Sequence, residues 1–523
     1  MAALACLLWA WMSTVANGNL DSQFDMLENY AWSQSFRWGT HKHPPLFAWV
    51  VGAWFAVFPQ TDWAYRLLSY ANVGVALAGV AALGRRLGLG ALAPWGALLL
   101  LWSFPYTTLA GKFNANSQLL SLWPWTAALL LDSWRASGWR GWLASALLGL
   151  LAAACMLGKY YSGVFLAGFL APVLLHPQGR RWLLTLRPWL ALGVFALALW
   201  PHVDWVARHG WATLAYAADQ NGGQTVWRHV LRFALSPWLY WLPAWLALCL
   251  AHAAARRREP QQAGGWLHPA ARAAARAAWQ SWRPRGWDDV LFWLAFAPWA
   301  LTLGFGVAGV AELSIPWAIP IGYAFALLWL RNLHALDAAA LDAALAKLRL
   351  AWWPALAAML ALALGTAAFR AMTVQPDYYR PTREAAQVIV QDWQARHAGQ
   401  RLHWVGGEWA ENAMLAFYAQ PDLRTVPGLP DSAPARLMGA APSWPSHHGL
   451  LLCPLGAVPA DEAATACVTQ AQAWLAARGL PAAPRVLTVQ RQGWAFPRAM
   501  PFAYAVFDAP PQAHQKQEQK KGG

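Results

Sequence analysis

The chain has 523 residues, of which 58% are hydrophobic and only 12% charged, about half the charged share of an ordinary soluble domain. With 39 Trp and a mean hydropathy of +0.28, the apolar residues arrive in blocks approaching the roughly 20 needed to cross about 30 Å of hydrocarbon, which excludes a single soluble globule and predicts a polytopic membrane protein. The formal net charge of +15 does not indicate nucleic acid, because the basic residues fall mostly in short loops between apolar blocks, the pattern that sets membrane topology.

Residues 1–16 read as a first transmembrane helix rather than a signal peptide, since no basic segment precedes the apolar run. Further spans are predicted over 63–83, 89–109, 119–131, 142–157, 162–175, 189–203, 233–251, 290–306, 315–330 and 351–364, about eleven helices in all. Loops holding Arg85/Arg86, Arg135/Arg140, Arg180/Arg181/Arg187, Arg256 to Arg285 and Arg331/Lys347/Arg349 fall on one side in strict alternation, which marks that side as cytoplasmic. The opposite side receives 19–62, the Lys112 loop, the Lys159 turn, 204–232, 307–314 and the tail from Thr366. The parity requires that 46–58 does not cross. Its Trp49, Trp54 and Phe55 suit an amphipathic helix lying in the outer interface.

From Thr366 the composition turns polar, so residues 1–365 are expected to form the membrane domain and 366–510 a soluble domain on the outer side. There 383–394 reads as an amphipathic helix, 402–405 as a strand leading into Gly406-Gly407, and 412–418 as helix, which implies a small α/β domain. The Gly pair reads as a loop turn rather than a phosphate site. Residues 511–523 form a polar, disordered tail. Of five Cys, Cys6, Cys155 and Cys249 lie in apolar segments and read as small buried hydrophobes. Cys453 and Cys467 fall in the outer domain, where oxidation is permitted, and are expected to form a structural disulfide.

The densest polar cluster outside the tail lies where the first helix leaves the membrane, at 19–46. If 24–38 is helical, Asp25, Glu28 and Asn29 share one face, and Asp21 suits the helix N-cap. Two acids beside the basic Arg37, Lys42 and His43 at a membrane boundary can bind a lipid-phosphate substrate.

The run Phe24-Asp25-Met26-Leu27-Glu28-Asn29-Tyr30-Ala31-Trp32, then Trp38-Gly39 and His43-Pro44-Pro45-Leu46, resembles the first periplasmic loop of bacterial family 39-type glycosyltransferases, relatives of the protein O-mannosyltransferases and the lipid A aminoarabinose transferase. The resemblance implies the GT-C fold through about Leu330: an all-α polytopic membrane domain with interfacial helices in the first outer loop. The later domain matches only in placement. It also implies a polyprenyl-phosphate sugar donor and a catalytic acid at Asp25. Many relatives carry Asp-Glu where this chain has Asp25-Met26, so Glu28, one turn on, stands in as the acidic neighbour. Where many relatives have Thr-Pro-Asp in the second outer loop, this chain reads Asn114-Ala115-Asn116, and Asn116 can hydrogen-bond but not act as a base.

Lys112 and Lys159, the latter followed by Tyr160, sit at outer helix ends where similar enzymes place a cation for the donor phosphate; snorkelling is the alternative reading. Arg37, Lys42 and His43 are further candidates. His41, His43, His202 and Asp204 offer donors that suit a divalent metal, but the spacing fixes no site, and structural histidines are the other reading. The expected function is therefore transfer of a sugar in the bacterial inner membrane from a polyprenyl-phosphate carrier to an acceptor at the periplasmic face, with lipid A as the acceptor by analogy. The rival is a transporter or flippase of polyprenyl-linked or lipidic substrates, disfavoured because midspan positions carry almost no charge and no repeat is visible. Expected partners are the donor, the acceptor and membrane lipids, with no nucleic acid.

Overall fold

The computed structural model describes residues 1–219, 225–256, 272, 275–276, 279–333, 337–373, 375–438, 446–457, 462–492 and 499–511. The expected disordered tail lies outside these residues apart from its first position. The chain forms two compact units: one of 1–13, 37–47 and 65–364, the other of 14–36, 48–64 and 365–523. Grouping thus follows contacts rather than chain order.

The first unit is helical. It holds most of α1 (Ala2–Ala16), and α2 (Asp25–Ser33) and α3 (Leu46–Phe55) fall mainly in the second unit. Then come α4 (Asp62–Arg86), α5 (Ala93–Leu100), α6 (Leu119–Arg135), α7 (Gly138–Gly158), α8 (Ser162–Gly168), α9 (Leu170–Leu175), α10 (Pro177–Leu183), α11 (Arg187–Arg208), α12 (Ala212–Asp219), α13 (Trp227–Arg256), α14 (Val290–Val307), α15 (Phe325–Leu330) and α16 (Ala338–Met372). Among the described residues six helices are long and apolar enough to cross a bilayer: α4, α7, α11, α13, α14 and α16. This is a multi-pass membrane architecture.

Three expected spans are broken. Residues 89–109 hold a 3-10 turn, α5 and a second 3-10 turn at Phe104–Tyr106 around Pro105. Ser103 Oγ donates to the Leu100 carbonyl at 2.6 Å and Thr107 Oγ1 to the Ser103 carbonyl at 2.8 Å, which satisfies carbonyls that a broken helix would leave bare in hydrocarbon. Residues 162–175 divide into α8 and α9. Residues 315–330 hold two 3-10 turns before α15, because Pro316 and Pro320 cannot continue a helical ladder. A side chain at Gly322 would run into the Trp241 ring, 2.1 Å from its would-be Cβ.

Among the described residues, arginines of several basic loops meet at one end of this unit, where His176 lies near Asp288, Arg135 and Arg180. Arg86 pairs with Asp132 at 2.6 Å, Arg135 donates to the Arg86 carbonyl, and Arg187 donates to the Ala136 carbonyl at 2.6 Å. Arg331 pairs with Asp289 at 2.5 Å, both side chains buried, and Asp289 also caps α14 by accepting from Phe292 N.

In the second unit α17 (Thr382–Arg396), α18 (Trp409–Tyr418) and α19 (Glu462–Ala476) accompany β1 (Trp404–Gly407), β2 (Arg424–Thr425), β3 (Gly449–Ala457), β4 (Arg485–Gln492) and β5 (Ala499–Ala509). The strands form one sheet in the order β2-β1-β3-β5-β4, with β1 parallel to β2 and β3 and the other pairs antiparallel. Gly406 and Gly407 close β1 rather than form a loop; Gly407 has φ +106°, and a Cβ there would lie 2.2 Å from the Leu452 carbonyl oxygen. Cys453 on β3 and Cys467 on α19 are disulfide-bonded, with Cα atoms 5.7 Å apart.

Candidate functional site

Helix α2 is shorter than the expected 24–38, ending at Ser33. Its start is built by Asp21, whose carboxylate accepts from the backbone N–H of Gln23 and Asp25 at 3.0 Å and of Met26 at 2.9 Å. Phe24 is thereby held at φ +60°, an uncommon conformation for a bulky residue, with the Arg380 guanidinium 4.9 Å from its ring. Asp25 follows as the first helical residue, half-buried. Glu28 accepts from the Trp409 indole N–H at 2.5 Å, so in this unit it anchors α2 to α18, where Tyr30 also packs edge-on against Phe417 at 5.0 Å. Asn29, expected on the same face, is buried.

In the first unit a cavity of about 680 Å³ is lined by Lys42, His43, Lys159, Tyr160, Arg232 and Trp317, together with Pro44, Tyr161, Tyr216, His229 and residues 312–316. Helix α7 delivers Lys159. The helix begins beside the arginine-bearing end and, at about 1.5 Å per residue, its 21 residues carry the chain about 30 Å away from it. Helices α11, α13 and α14 agree: α11 starts at Arg187 and reaches His202, which bonds the cavity residue Tyr160, near its far end, α13 presents the cavity residues His229 and Arg232 in its first turns, and α14 runs from Val290 to Val307, shortly before the cavity residue Glu312.

Lys159 Nζ donates to Asn116 Oδ1 at 2.6 Å and lies 5.8 Å from the Trp317 ring centroid. Asn116 is itself set by a turn in which Asn114 Oδ1 accepts from the N–H of Asn116 and Ser117 at 3.0 Å, the side-chain turn that Asn favours. Tyr160 hydroxyl bonds His202 Nε2 at 2.7 Å and Thr213 Oγ1 at 3.1 Å, and burial raises its phenol pKa above the ordinary value of 10, so it stays protonated. His229 Nδ1 lies 2.7 Å from Glu312 Oε1. Among the described residues Glu312 is the one acid in the wall, against Lys42, Lys159 and Arg232. A cleft with that balance and low-dielectric walls focuses positive potential and favours an anion.

Of the residues singled out from sequence, Lys42, His43, Lys159 and Tyr160 line this cavity, and Asn116 holds Lys159. Lys112 and Arg37 lie outside its wall. The Lys112 loop is pinned by buried Arg66, which donates to the Gly111 carbonyl at 2.5 Å. The suggested metal donors do not gather. His202 is engaged by Tyr160 and by the Trp38 carbonyl, Asp204 pairs with Arg208 at 2.9 Å, and among the described residues no three His, Cys, Asp or Glu side chains are grouped to hold a metal ion. His41 is buried enough, beside Lys42, that its pKa falls to about 4, which keeps it neutral.

Arg232, His229, Glu312 and Trp317 were not foreseen. A signal existed: His229 and Arg232 are one turn apart on a single helix face, on the side that loop charges otherwise leave poor in cations.

Residues 42–205 match the family described as dolichyl-phosphate-mannose-protein mannosyltransferase, a stretch that includes the cavity residues Lys42 to Tyr160 and excludes Asp25 and Glu28. Among solved structures the chain is similar to ArnT from Cupriavidus metallidurans bound to undecaprenyl phosphate, at 14% identity, with 96% of each chain covered and a TM-score of 0.57. It is also similar to the apo state of that protein, with the same identity and coverage and a TM-score of 0.54. No curated protein matches the sequence. At such identity the likeness is one of fold.

Proposed function

We propose that this chain is a membrane glycosyltransferase of GT-C type that takes a sugar from a polyprenyl-phosphate donor and passes it to an acceptor at the periplasmic face, with lipid A as the acceptor. The observation that carries the reading is the cationic cavity around Lys159: three cations and two imidazoles face one paired acid, beside apolar wall residues such as Ile315, Pro316 and Trp317 that suit the start of an isoprenoid chain. The similar ArnT structure holds undecaprenyl phosphate, a ligand of the same chemistry. The cavity opens at the end opposite the arginine loops, which the positive-inside rule places outside the cytoplasm, and the Cys453–Cys467 bridge fits an oxidising compartment for the second unit.

In the reaction the bond between the anomeric carbon and the phosphate oxygen breaks, and the acceptor oxygen takes the carbon. The polyprenyl phosphate leaves as an anion, so it needs cationic stabilisation rather than a proton, and Lys159 and Arg232 supply fixed charge where charge develops. Tyr160 adds a neutral donor. Asp25, the acid matched to the family's first loop, takes the proton if the acceptor is a hydroxyl, and orients groups if it is a lipid A phosphate already ionised.

Mass spectrometry of lipid A from cells with and without the protein tests the acceptor. A pentose- or hexose-sized mass that disappears with the gene supports lipid A, and an unchanged lipid A profile removes it.

A further inference from the structure

A second cavity in the first unit, of about 450 Å³, is walled by α6 to α11, including Leu148, Phe169, Val173, Trp182, Trp189 and Leu192. Helices α7 and α11 meet closely here, since a side chain at Gly149 would press on the Ala191 carbonyl 2.2 Å away. Leu170, Trp189 and Leu192 are 59%, 64% and 54% exposed, so the wall opens sideways toward surrounding hydrocarbon. The proposed reaction uses none of these residues, and the cavity lies toward the end of the unit where the arginine loops meet.

Apolar walls alone give no preference inside a bilayer, because lipid tails are as apolar as leucine. Selection must come from the headgroup. Trp182 and Leu183 line the cavity, and the two residues before them on the same short helix are Arg180 and Arg181, both exposed. Arg180 uses one guanidinium nitrogen to hold the Leu174 and Leu175 carbonyls, at 3.2 and 2.9 Å, which fixes the group at the end of α9 and leaves further N–H donors of its fork. The corner is flanked by Leu184 and Leu186, 88% and 69% exposed, side chains suited to the hydrocarbon boundary. Basic residues at such a boundary beside an opening between helices make a site for an anionic lipid headgroup.

We propose that this cavity binds one acyl chain of an anionic phospholipid drawn from the leaflet at the arginine-bearing end, with its phosphate on Arg180 and Arg181. The lipid wedges the α7–α11 pair against α9 and α10, on the side of the unit away from Lys159, and so braces the bundle without taking part in transfer.

Native mass spectrometry of the full-length protein in detergent, with palmitoyl-oleoyl phosphatidylglycerol or the matching phosphatidylcholine as probe, tests this. Wild type should retain the glycerol lipid roughly tenfold more than the choline lipid, and the double variant Arg180→Gln/Arg181→Gln should lose that preference while eluting as a single folded species. Ala152→Phe, which fills the cavity, should lower retention of both lipids. Lys159→Ala, in the other cavity, should leave the preference intact. Equal retention of the two lipids by wild type, survival of the preference in the double arginine variant, or its loss in Lys159→Ala would each overturn the proposal. The Lys159 arm separates its failure from failure of the glycosyltransferase reading.

Discussion

Lys159 and Asn116, 43 residues apart, meet at 2.6 Å, the ammonium donating to the amide oxygen. The Asn116 side-chain amide therefore supports a cation instead of acting as a base. An aspartate at the same position would neutralise the charge that the cavity presents to a donor phosphate. Asn116→Asp should accordingly raise the KM for a polyprenyl-phosphate donor by about tenfold or more, the scale of a charged hydrogen bond, with a smaller change in kcat. Asn116→Ala should act in the same direction more weakly. Steady-state kinetics on the two variants checks the order.

Asp25 and Glu28 separate in the same way. Asp25→Asn should reduce transfer by about 10² to 10⁴, the usual cost of losing a positioned acid or base, with the protein still folded. Glu28→Gln keeps an acceptor for the Trp409 indole and should cost far less. Glu28→Ala should instead loosen α2 from α18, which hydrogen exchange over residues 25–33 will register as faster opening.

How much of this was legible in sequence depended on whether an interaction was local. Helix α7 ends within one residue of its predicted C-terminal boundary because Gly158 and Lys159 close an uninterrupted apolar run, and α2 begins at Asp25 because Asp21 caps it four residues upstream. The breaks at 101–106 and 315–324 came from prolines whose effect in a membrane depends on nearby Ser, Thr and Trp side chains, as at Ser103 and Trp241. Lys42, Lys159 and Tyr160, which line the cavity, were singled out because a lysine at a helix end, or beside a resembling motif, is visible in one dimension. Arg232 and Glu312 were not, since their meaning comes from helix α13 and the segment after α14 delivering them to one cavity. The role of Asn116 needed a contact between two loops, which no spacing rule supplies.

The Asp289–Arg331 pair is buried, with side chains 8% and 4% exposed. Removing one partner strands the other's charge, so Asp289→Ala should destabilise the protein by about 3 to 5 kcal/mol, more than the loss of a helix cap alone at about 1 kcal/mol. Thermal unfolding in detergent measures it. Asp289→Asn keeps the cap and should fall between wild type and Asp289→Ala.

Glu411 on α18 is buried, which lifts its carboxyl from 4.5 to about 7 even with Arg380 at 3.5 Å. The folded state holds this proton more tightly than the unfolded chain, so the second unit should be most stable below about pH 4.5 with respect to this group. It should lose stability as pH rises to about 7 and level off above, a change on the order of 3 kcal/mol. Hydrogen exchange of residues 409–418, corrected for intrinsic rates, should show more opening at pH 8 than at pH 5. Glu411→Gln should flatten that difference.

In the proposed reaction the Lys159 cavity binds a lipid phosphate as a leaving group. The most direct measurement is release of polyprenyl phosphate from a polyprenyl-phosphate sugar by the purified protein in nanodiscs, followed by mass spectrometry with and without lipid A. Wild type should release it only when the acceptor is present, and Lys159→Ala should do so with a donor KM raised about ten- to a hundredfold. An unconsumed donor that instead moves between leaflets, or an unchanged KM in Lys159→Ala, would contradict the account.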